Sequence, residues 1–415
     1  MLIDVRTGHI NIRKGKTGLR FVFAGDYFPR GNSVDMILSG KTDDMIQPIK
    51  PFLYNKDLSM VNYEAPITNS NDAILKTGPN LKAAPGTQDF VIKAGFDIVG
   101  LSNNHIRDFG DQPVLETIKT LEGCGLKTTG AGKNLEESKK PLFINKNGLK
   151  IAVIAISENE FGNAGEEFPG GAPIDPVDNI AQIKEVSKET DLTIVYIHGG
   201  TEYLPVPNPR ITQLYKAYAA AGASAVIAMH THCPQGVEIY NGVPIVYSMG
   251  NFLFSKISAP YDPEDLWWKG YLVAIDFDFG GNAISMDLLP YTFGPDGTKF
   301  SVFKDEVATE FYRYIQFISD LVVNLNEQRK LWEAWCAVKG PGMANYFKNI
   351  RYPAERSNEL DFRTLLTIRN LFTCEAHNDL NKTFFRLIEA GKVNEAALNY
   401  KHIETLQKGK IYELL

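Results

Sequence analysis

The sequence has no long apolar run. No segment of 18 residues is apolar throughout, and the opening stretch MLIDVRTGHINIRKGK lacks the hydrophobic core of a signal peptide. We therefore expect no membrane-spanning segment in this chain and a cytoplasmic location. Cysteine is also scarce, with four residues in 415 and no CxxC spacing, which argues against a zinc finger and predicts reduced thiols.

The sequence also lacks an excess of basic charge. Its formal net charge is -6 at pH 7, and no cluster of lysine and arginine is interleaved with aromatic residues. A nucleic-acid partner is therefore not expected. The 44% hydrophobic content is that of a globular protein, and 415 residues exceed what one hydrophobic core usually serves. We expect a large domain followed by a smaller one.

The segment from Ala225 to Phe254 contains the clearest chemical signal. A buried strand is predicted over residues 225–229, and it ends in His230-Thr231-His232. Alternate side chains of an extended segment point the same way, so both imidazoles would face one cavity beyond the strand. Such a pair is typical of a metal site, whereas the simplest alternative is two surface histidines in a loop.

Polar donors follow other predicted strands in the same way. Strands alternate with helices up to about residue 230, which predicts an α/β architecture whose ligands bind at the carboxyl ends of the strands. The donors at five such ends are Asp26, Glu64, Asn104, His198, His230 and His232. Oxygen and nitrogen donors without a thiolate suit one or two divalent or trivalent ions, such as manganese, iron or zinc.

The order of these donors resembles the calcineurin-like metallophosphoesterase superfamily, and most closely its CapA branch, the capsule or poly-γ-glutamate synthesis family. The matching residues extend over roughly residues 18–295: Gly25-Asp26, Asn62-Tyr63-Glu64, Ser102-Asn103-Asn104-His105 with Asp108 and Gly110, Gly130-Ala131-Gly132, His198-Gly199-Gly200-Thr201-Glu202-Tyr203 with Pro209 and Gln213, and His230 to Phe252. The resemblance implies a four-layer α/β/β/α sandwich with a metal centre at one edge.

The resemblance also assigns roles within the site. It implies two sets of ligands that share a bridging carboxylate: Asp26, Glu64 and His232 for one ion, and Glu64, Asn104, His198 and His230 for a second. His105, beside Asn104, would be the catalytic imidazole that assists the leaving group or the developing oxyanion. Phe28 departs from the pattern, because it stands where the superfamily has a histidine ligand. Asn62 is then a candidate extra ligand or a donor to a ligand.

Four further residues are candidates for contact with a substrate. Lys82 and Arg107 would bind an anionic group such as phosphate or a glutamate carboxylate, although exposed cations are more often simply solvated. Glu202 and Tyr203 would orient His198 or touch the substrate, and a purely structural role is the alternative.

The chemistry implied by the resemblance is metal-assisted, through Lewis acidity that polarises a substrate oxygen and activates a water. The ligand residues do not determine which bond of the substrate reacts. The leading hypothesis is a metal-dependent hydrolase acting on a phosphoester or on a γ-glutamyl or peptide amide. The alternatives are a peptide epimerase on the same centre and a non-catalytic component of capsule or poly-γ-glutamate assembly that binds an anionic polymer.

Two regions outside the matching motifs carry structural expectations. Helical periodicity from residue 304 onward predicts an all-helical C-terminal region, and we place the domain division at 1–295 and 296–415. That region could cap the sandwich, form a contact between two copies of the chain or bind another partner. Residues 158–175 are rich in glycine and are expected to form a loop that covers the pocket as a lid.

Overall fold

The computed structural model describes residues 1–256, 261–349 and 359–411. The strands are β1 His9–Asn11, β2 Leu19–Phe28, β3 Leu58–Tyr63, β4 Ile98–Gly100, β5 Lys127–Thr129, β6 Ala131–Gly132, β7 Leu142–Lys146, β8 Leu149–Ser157, β9 Gly170–Gly171, β10 Leu192–His198, β11 Ala225–Met229, β12 Val237–Tyr240, β13 Val243–Val246, β14 Asn251–Phe254, β15 Lys269–Phe277, β16 Ala283–Thr292 and β17 Ser301–Val302.

The α-helices are α1 Asn32–Leu38, α2 Thr42–Ile46, α3 Lys50–Tyr54, α4 Gln88–Lys93, α5 Asp111–Gly123, α6 Leu135–Ser138, α7 Pro176–Val186, α8 Pro209–Ala221, α9 Asp305–Val323, α10 Leu325–Ala344, α11 Glu359–Thr373, α12 Glu375–Glu389, α13 Val393–Ala397 and α14 Tyr400–Gln407. Short 3-10 helices cover Leu266–Trp268 and Asn345–Asn349. No helix in the described parts of the chain is long and apolar enough to cross a bilayer.

Two large sheets form the centre of the fold. The first has the order β1-β16-β15-β2-β3-β4-β5, with β14 added beside β2 and β17 beside β16. The second has the order β12-β13-β11-β10-β8-β7. Neighbouring strands run parallel from β2 to β5 and across β8, β10, β11 and β13, so their carboxyl ends share an edge in each sheet.

The alternation of side chains along β2 shows how the layers stack. Phe21 and Phe23 point into the core shared with the second sheet, whereas Val22 and Ala24 belong to the core beneath the helices on the other face. Tyr196 of β10 bridges the two sheets, since its hydroxyl donates to the Ala24 carbonyl at 2.8 Å. With α7 and α8 on the far face of the second sheet, this is an α/β/β/α sandwich, which confirms the predicted fold class.

The start of the first sheet differs from the sequence prediction in one respect that affects the site. We expected Asp26 to follow the end of a strand, but β2 continues through Asp26 to Phe28. The continuation is possible because β14 lies alongside in parallel, with Asn251 opposite Asp26. Asp26 is therefore held inside a sheet by neighbours on both sides.

The C-terminal region is helical, as predicted. One face of α9 buries Phe311, Ile315, Ile318 and Val322 at helical spacing. This helix is fixed to the second sheet, because the Val237 amide donates to Ser319 Oγ at 2.9 Å. The exact division of the chain at residue 295 stays a proposal.

Candidate metal centre

The six predicted ligands lie at the edge where the parallel strands of both sheets end. Each of them is buried, with at most 7% of its surface exposed. Asp26 is within β2, Glu64 follows β3, His198 is the last residue of β10, and the other three lie in the turns after β4 and β11. Five different strands therefore deliver polar side chains to one point, as ligand sites of α/β sheets require.

Their donor atoms form two overlapping groups. Atoms of Glu64, His198 and His230 lie within 4.8 Å of one another, and so do atoms of Asp26, Glu64 and His232. Glu64 is common to both groups. His198 Nε2 lies 3.5 Å from Glu64 Oε2 and 3.6 Å from Asp26 Oδ1. The structure thus brings together the carboxylates and imidazoles of the two sets that the resemblance implied, with Glu64 between them.

Several of these atoms have no hydrogen-bond partner within the described residues. They are both carboxylate oxygens of Glu64, Oδ1 of Asn104, Nε2 of His198 and Nδ1 of His230. A buried polar atom left unpaired costs about 1–3 kcal/mol, so five around one point would be a large penalty without a compensating group. A divalent cation beside Glu64, His198 and His230 would satisfy the unpaired atoms of those three residues. The residues therefore fit a divalent metal ion.

The electrostatics of the site agree with this fit. Burial, together with the charge of Glu64, raises the pKa of Asp26 to about 8, and burial raises the pKa of Glu64 well above its usual value. Burial likewise lowers the pKa of His198 and of His230, so both rings are neutral and able to act as ligands. Two adjacent buried carboxylates ionise readily only when a cation neutralises them.

Neighbouring amides orient the ligands. Asn251 Oδ1 lies 2.9 Å from His232 Nδ1, which places the proton on Nδ1 and leaves Nε2 free for an ion. Asn62 donates its side-chain amide to Asp26 Oδ1 at 2.8 Å, and the backbone amide of His230 donates to the other oxygen at 2.9 Å. Of the two roles open to Asn62, the geometry therefore supports a donor to a ligand.

The His230-Thr231-His232 segment does not have the extended backbone that we expected. The φ angles of His230 and His232 are 99° and 56°, in the region that residues other than glycine rarely adopt. Both rings reach the centre nonetheless, with their centroids 6.1 Å apart. The expected conformation was wrong because the chain turns sharply at once after β11. Strained backbone of this kind is concentrated at functional sites.

His105 is held beside the ligands by a buried ion cluster. The carboxylate of Asp108, fully buried, lies 2.6 Å from His105 Nδ1 and accepts from Lys76 Nζ at 2.5 Å. The imidazole proton is therefore on Nδ1, and Nε2 is an acceptor. Burial and the charge of Lys76 lower the pKa of His105 to about 4, so the ring is neutral near pH 7.

Phe28 does not replace the missing histidine with another ligand. Its ring packs edge-on against Phe254 with centroids 4.9 Å apart, and the Arg30 guanidinium lies 5.8 Å from the ring centre. Phe254 in turn packs against the His232 ring at 5.1 Å. The aromatic side chain thus supports the position of His232 through Phe254.

A cavity of about 1140 Å³ opens over the centre and includes Asn104, His105, His230 and His232 in its walls. Glu202 and Tyr203 line it as well, so these two residues are placed at the site. The Tyr203 ring lies 6.1 Å from that of His232. Burial and the charge of Glu160 raise the pKa of Glu202 to about 7.

Lys82 and Arg107 do not line this cavity, contrary to expectation. Lys82 Nζ donates to the Ser70 carbonyl at 2.5 Å, and Arg107 pairs with Asp111 at 2.8 Å, so neither cation is directed to the metal centre. Lys76 lines the cavity, as had been expected of Lys82 and Arg107. It lies in a polar stretch without periodicity, and the sequence gave no signal that pairs it with Asp108.

The expectation that residues 158–175 form a lid over the cavity was also wrong. Of that loop only Glu160 lines the cavity. The remainder is tied down beside the sheet, since Gly171 pairs with Ala131 and the Ala172 amide donates to the Gly130 carbonyl at 2.8 Å. The cavity is covered instead by the C-terminal helices, which contribute residues from Trp335 to Lys408. Of the three roles left open for those helices, a cap over the site is the one observed.

The fold and the site together define an α/β/β/α protein with a candidate divalent metal centre. The family model described as "Bacterial capsule synthesis protein PGA_cap" matches residues 20–256, and the chain belongs to this family. The resemblance to the CapA branch is thereby confirmed.

Named relatives agree with this assignment. "Capsule biosynthesis protein CapA" of Bacillus anthracis is 30% identical over 57% of this chain and 60% of its own length. "PGA biosynthesis protein CapA" of Bacillus subtilis is 32% identical over 56% of this chain and 63% of its own length. The chain thus spans somewhat less than two thirds of these relatives. A solved 5'-nucleotidase precursor from Thermus thermophilus aligns with 73% of this chain and 59% of its own at 14% identity, with a TM-score of 0.40.

Proposed function

We propose that this protein is a metal-dependent hydrolase that cleaves amide bonds in an anionic, γ-glutamyl-type chain. The observation that carries the proposal is the convergence of buried, unpartnered donor atoms from Glu64, Asn104, His198 and His230 beneath a large cavity. The glutamate-type substrate comes from the printed names of the Bacillus relatives, one of which is a PGA biosynthesis protein. A phosphoester is the alternative substrate of the same centre.

The ligand residues would hold one or two divalent ions, with Asp26 and His232 on one side of Glu64 and the other three donors on the other. Such ions supply Lewis acidity, which polarises a substrate oxygen and lowers the pKa of a water. Metal identity is left open by the donor set, because manganese, iron and zinc all accept nitrogen and oxygen ligands.

His105 would move the proton. Asp108 fixes its tautomer, so that Nε2 accepts a proton near Asn104 as the water adds to the carbonyl carbon. The same ring then returns the proton to the leaving nitrogen when the C–N bond breaks. Lys76, which pairs with Asp108, would hold that carboxylate in place beside His105.

A second candidate is a non-catalytic polymer-binding component. A relative from Mycobacterium tuberculosis H37Rv, 24% identical over 56% of this chain, is named a probable polyglutamine synthesis accessory protein, and an accessory component can act by binding alone. A measurement of amino-group release distinguishes the two candidate functions, because only a hydrolase releases new amino groups from a γ-linked glutamate oligomer.

The test combines metal content with turnover. His198→Ala and His230→Ala are expected to lower bound metal, because each removes a direct ligand. His105→Ala is expected to keep its metal and to lose about 10²–10⁴-fold in turnover, as for a group that transfers protons. His402→Ala, an exposed histidine outside the cavity, is the matched control and should change neither quantity. Equal metal loss in the His105 variant would contradict its assigned role.

A further inference from the structure

One wall of the cavity over the metal centre is built by the C-terminal helices. Its lining residues from this region include Trp335, Lys339, Asn370, Tyr400 and Lys408. All of them lie beyond residue 256, where the family match ends. This wall is therefore a feature of the chain that the family assignment does not describe.

The helical wall is basic. It contributes Lys339 and Lys408 to the lining, and no carboxylate among its described residues. The lining from before residue 270 has mixed charge, with the acidic residues Glu160, Glu202, Asp262 and Asp265 and the basic residues Arg30, Lys76 and Lys256. Asp265 is paired with Lys256 at 2.6 Å. The helical wall thus offers cations to an anion without a carboxylate of its own.

Lys339 lies beside a pair of aromatic rings. Its ammonium is 5.1 Å from the centre of the Trp335 ring and 5.7 Å from that of Tyr400, and the two ring centres are 6.1 Å apart with their planes inclined by 30°. No carboxylate in the described residues pairs with it. Cation–π contacts orient an ammonium without neutralising its charge, so Lys339 remains available to an anion.

Two polar atoms of the same wall are also without partners in the described part of the chain. They are Oδ1 of Asn370, a residue 4% exposed, and the indole Nε1 of Trp335. One is an acceptor and the other a donor, which are the two groups that an amide bond matches. The wall is fixed relative to the centre, because Gln407 Nε2 donates to the Tyr203 carbonyl at 2.7 Å.

From these contacts we infer that Trp335, Lys339 and Tyr400 form a second, anion-binding subsite that takes a carboxylate of an extended, amide-linked anionic chain. The inference rests on the proposed function only in placing another part of the same chain at the metal centre. A ligand with a single charged group would contact only one of the two places, whereas a chain with several carboxylates would contact both. The subsite makes this region of the protein a determinant of substrate length.

The test measures binding in metal-free protein, so that it does not depend on turnover. Calorimetry at low salt would compare a γ-linked glutamate decamer with free glutamate. Wild type is expected to bind the decamer more tightly than free glutamate, and Lys339→Gln is expected to weaken decamer binding about tenfold, which is the loss of one charge-assisted contact. Lys339→Arg, which keeps the charge, should restore most of the affinity.

Lys330→Gln is the matched control, because Lys330 lies on the same helix, outside the cavity, and pairs with Glu327 at 2.7 Å. Equal decamer affinity in wild type and Lys339→Gln would overturn the subsite, and so would equal losses in both variants or a wild type that does not bind the decamer. A selective loss in Lys339→Gln without cleavage by metal-loaded protein would support the subsite and reject the hydrolase.

Discussion

The carboxylate of Glu158 joins the C-terminal helices to the loop after β10, and its removal is expected to loosen that connection. The side chain is 2% exposed at the end of β8. Its Oε1 accepts from the Gly200 amide at 3.1 Å, two residues after the candidate ligand His198, and from Arg210 at 2.6 Å. Its Oε2 accepts from the Ala376 amide at the start of α12, at 3.0 Å.

The expected loss of stability follows from these contacts. Glu158→Gln keeps the shape but turns one acceptor into a donor and leaves Arg210 with Asp379 as its remaining acidic partner. Loss of one partner from a fully buried pair costs about 3–5 kcal/mol. Because Arg210 retains that partner and its side chain is 24% exposed, we expect a loss of about 2–3 kcal/mol in the free energy of unfolding.

The stabilisation contributed by Glu158 depends on pH and is expected to decrease at low pH. Burial raises the pKa of Glu158, but the charge and hydrogen bond of Arg210 more than offset it, so the pKa lies below its usual value. The stabilisation is therefore present above the ordinary carboxyl pKa of about 4.3 and is lost as the pH falls through the lower folded value. The variant should differ most from wild type near neutral pH.

Urea unfolding would measure the total effect, and amide hydrogen exchange would locate it. Exchange at the first turn of α12 is expected to accelerate by about thirtyfold or more, in proportion to the lost free energy. Glu185→Gln, which removes an exposed carboxylate paired with Lys188, is the control and should change neither measurement. Unchanged exchange at α12 in Glu158→Gln would refute the idea that this carboxylate fastens the helices.

Two further predictions concern the centre itself. Asn251→Leu removes the acceptor of the His232 Nδ1 proton, so metal affinity measured by competition with a chelator should fall about 10–100-fold, whereas Asn282→Leu on the exposed turn should leave it unchanged. In metal-free protein the raised pKa of Asp26 means that stability is lost as the pH rises from about 4 toward 8. Added manganese should therefore raise the unfolding temperature more at pH 8 than at pH 6, and equal shifts would count against a cation between the carboxylates.

Much of the sheet was predictable because its signals are local. The apolar run of β11 ends in sharply turning residues, and it was predicted over the residues that the structure shows. Helix α8 also has local signals at both ends. Asn208 caps its first turn, Pro209 occupies the first position, and Gly222 ends it in a left-handed conformation. The convergence of the candidate ligands was predictable for the same reason, since strand ends meet at one edge.

What the sequence could not show depends on contacts between distant residues. Nothing near Lys76 in the sequence marks it as the partner of Asp108, and nothing near Glu158 marks it as a partner of Ala376, 218 residues away. The lid was misplaced because glycine content shows where a loop can bend, not what it packs against. In this chain the glycine-rich loop is held by backbone hydrogen bonds to the neighbouring turn.

The residues that would carry out the chemistry and those that would select a substrate lie in different parts of the chain. The candidate ligands all lie within residues 20–256, the part shared with the capsule synthesis family, and they are fixed by strands. The helical wall of the cavity lies outside that match and is joined to the candidate centre by Gln407 and Glu158. Under the proposed function, a change in the helices would alter which chain fits the cavity without moving a candidate ligand, because fold and site constrain function separately. The subsite proposed at Lys339 lies outside the match, so the family assignment does not extend to it.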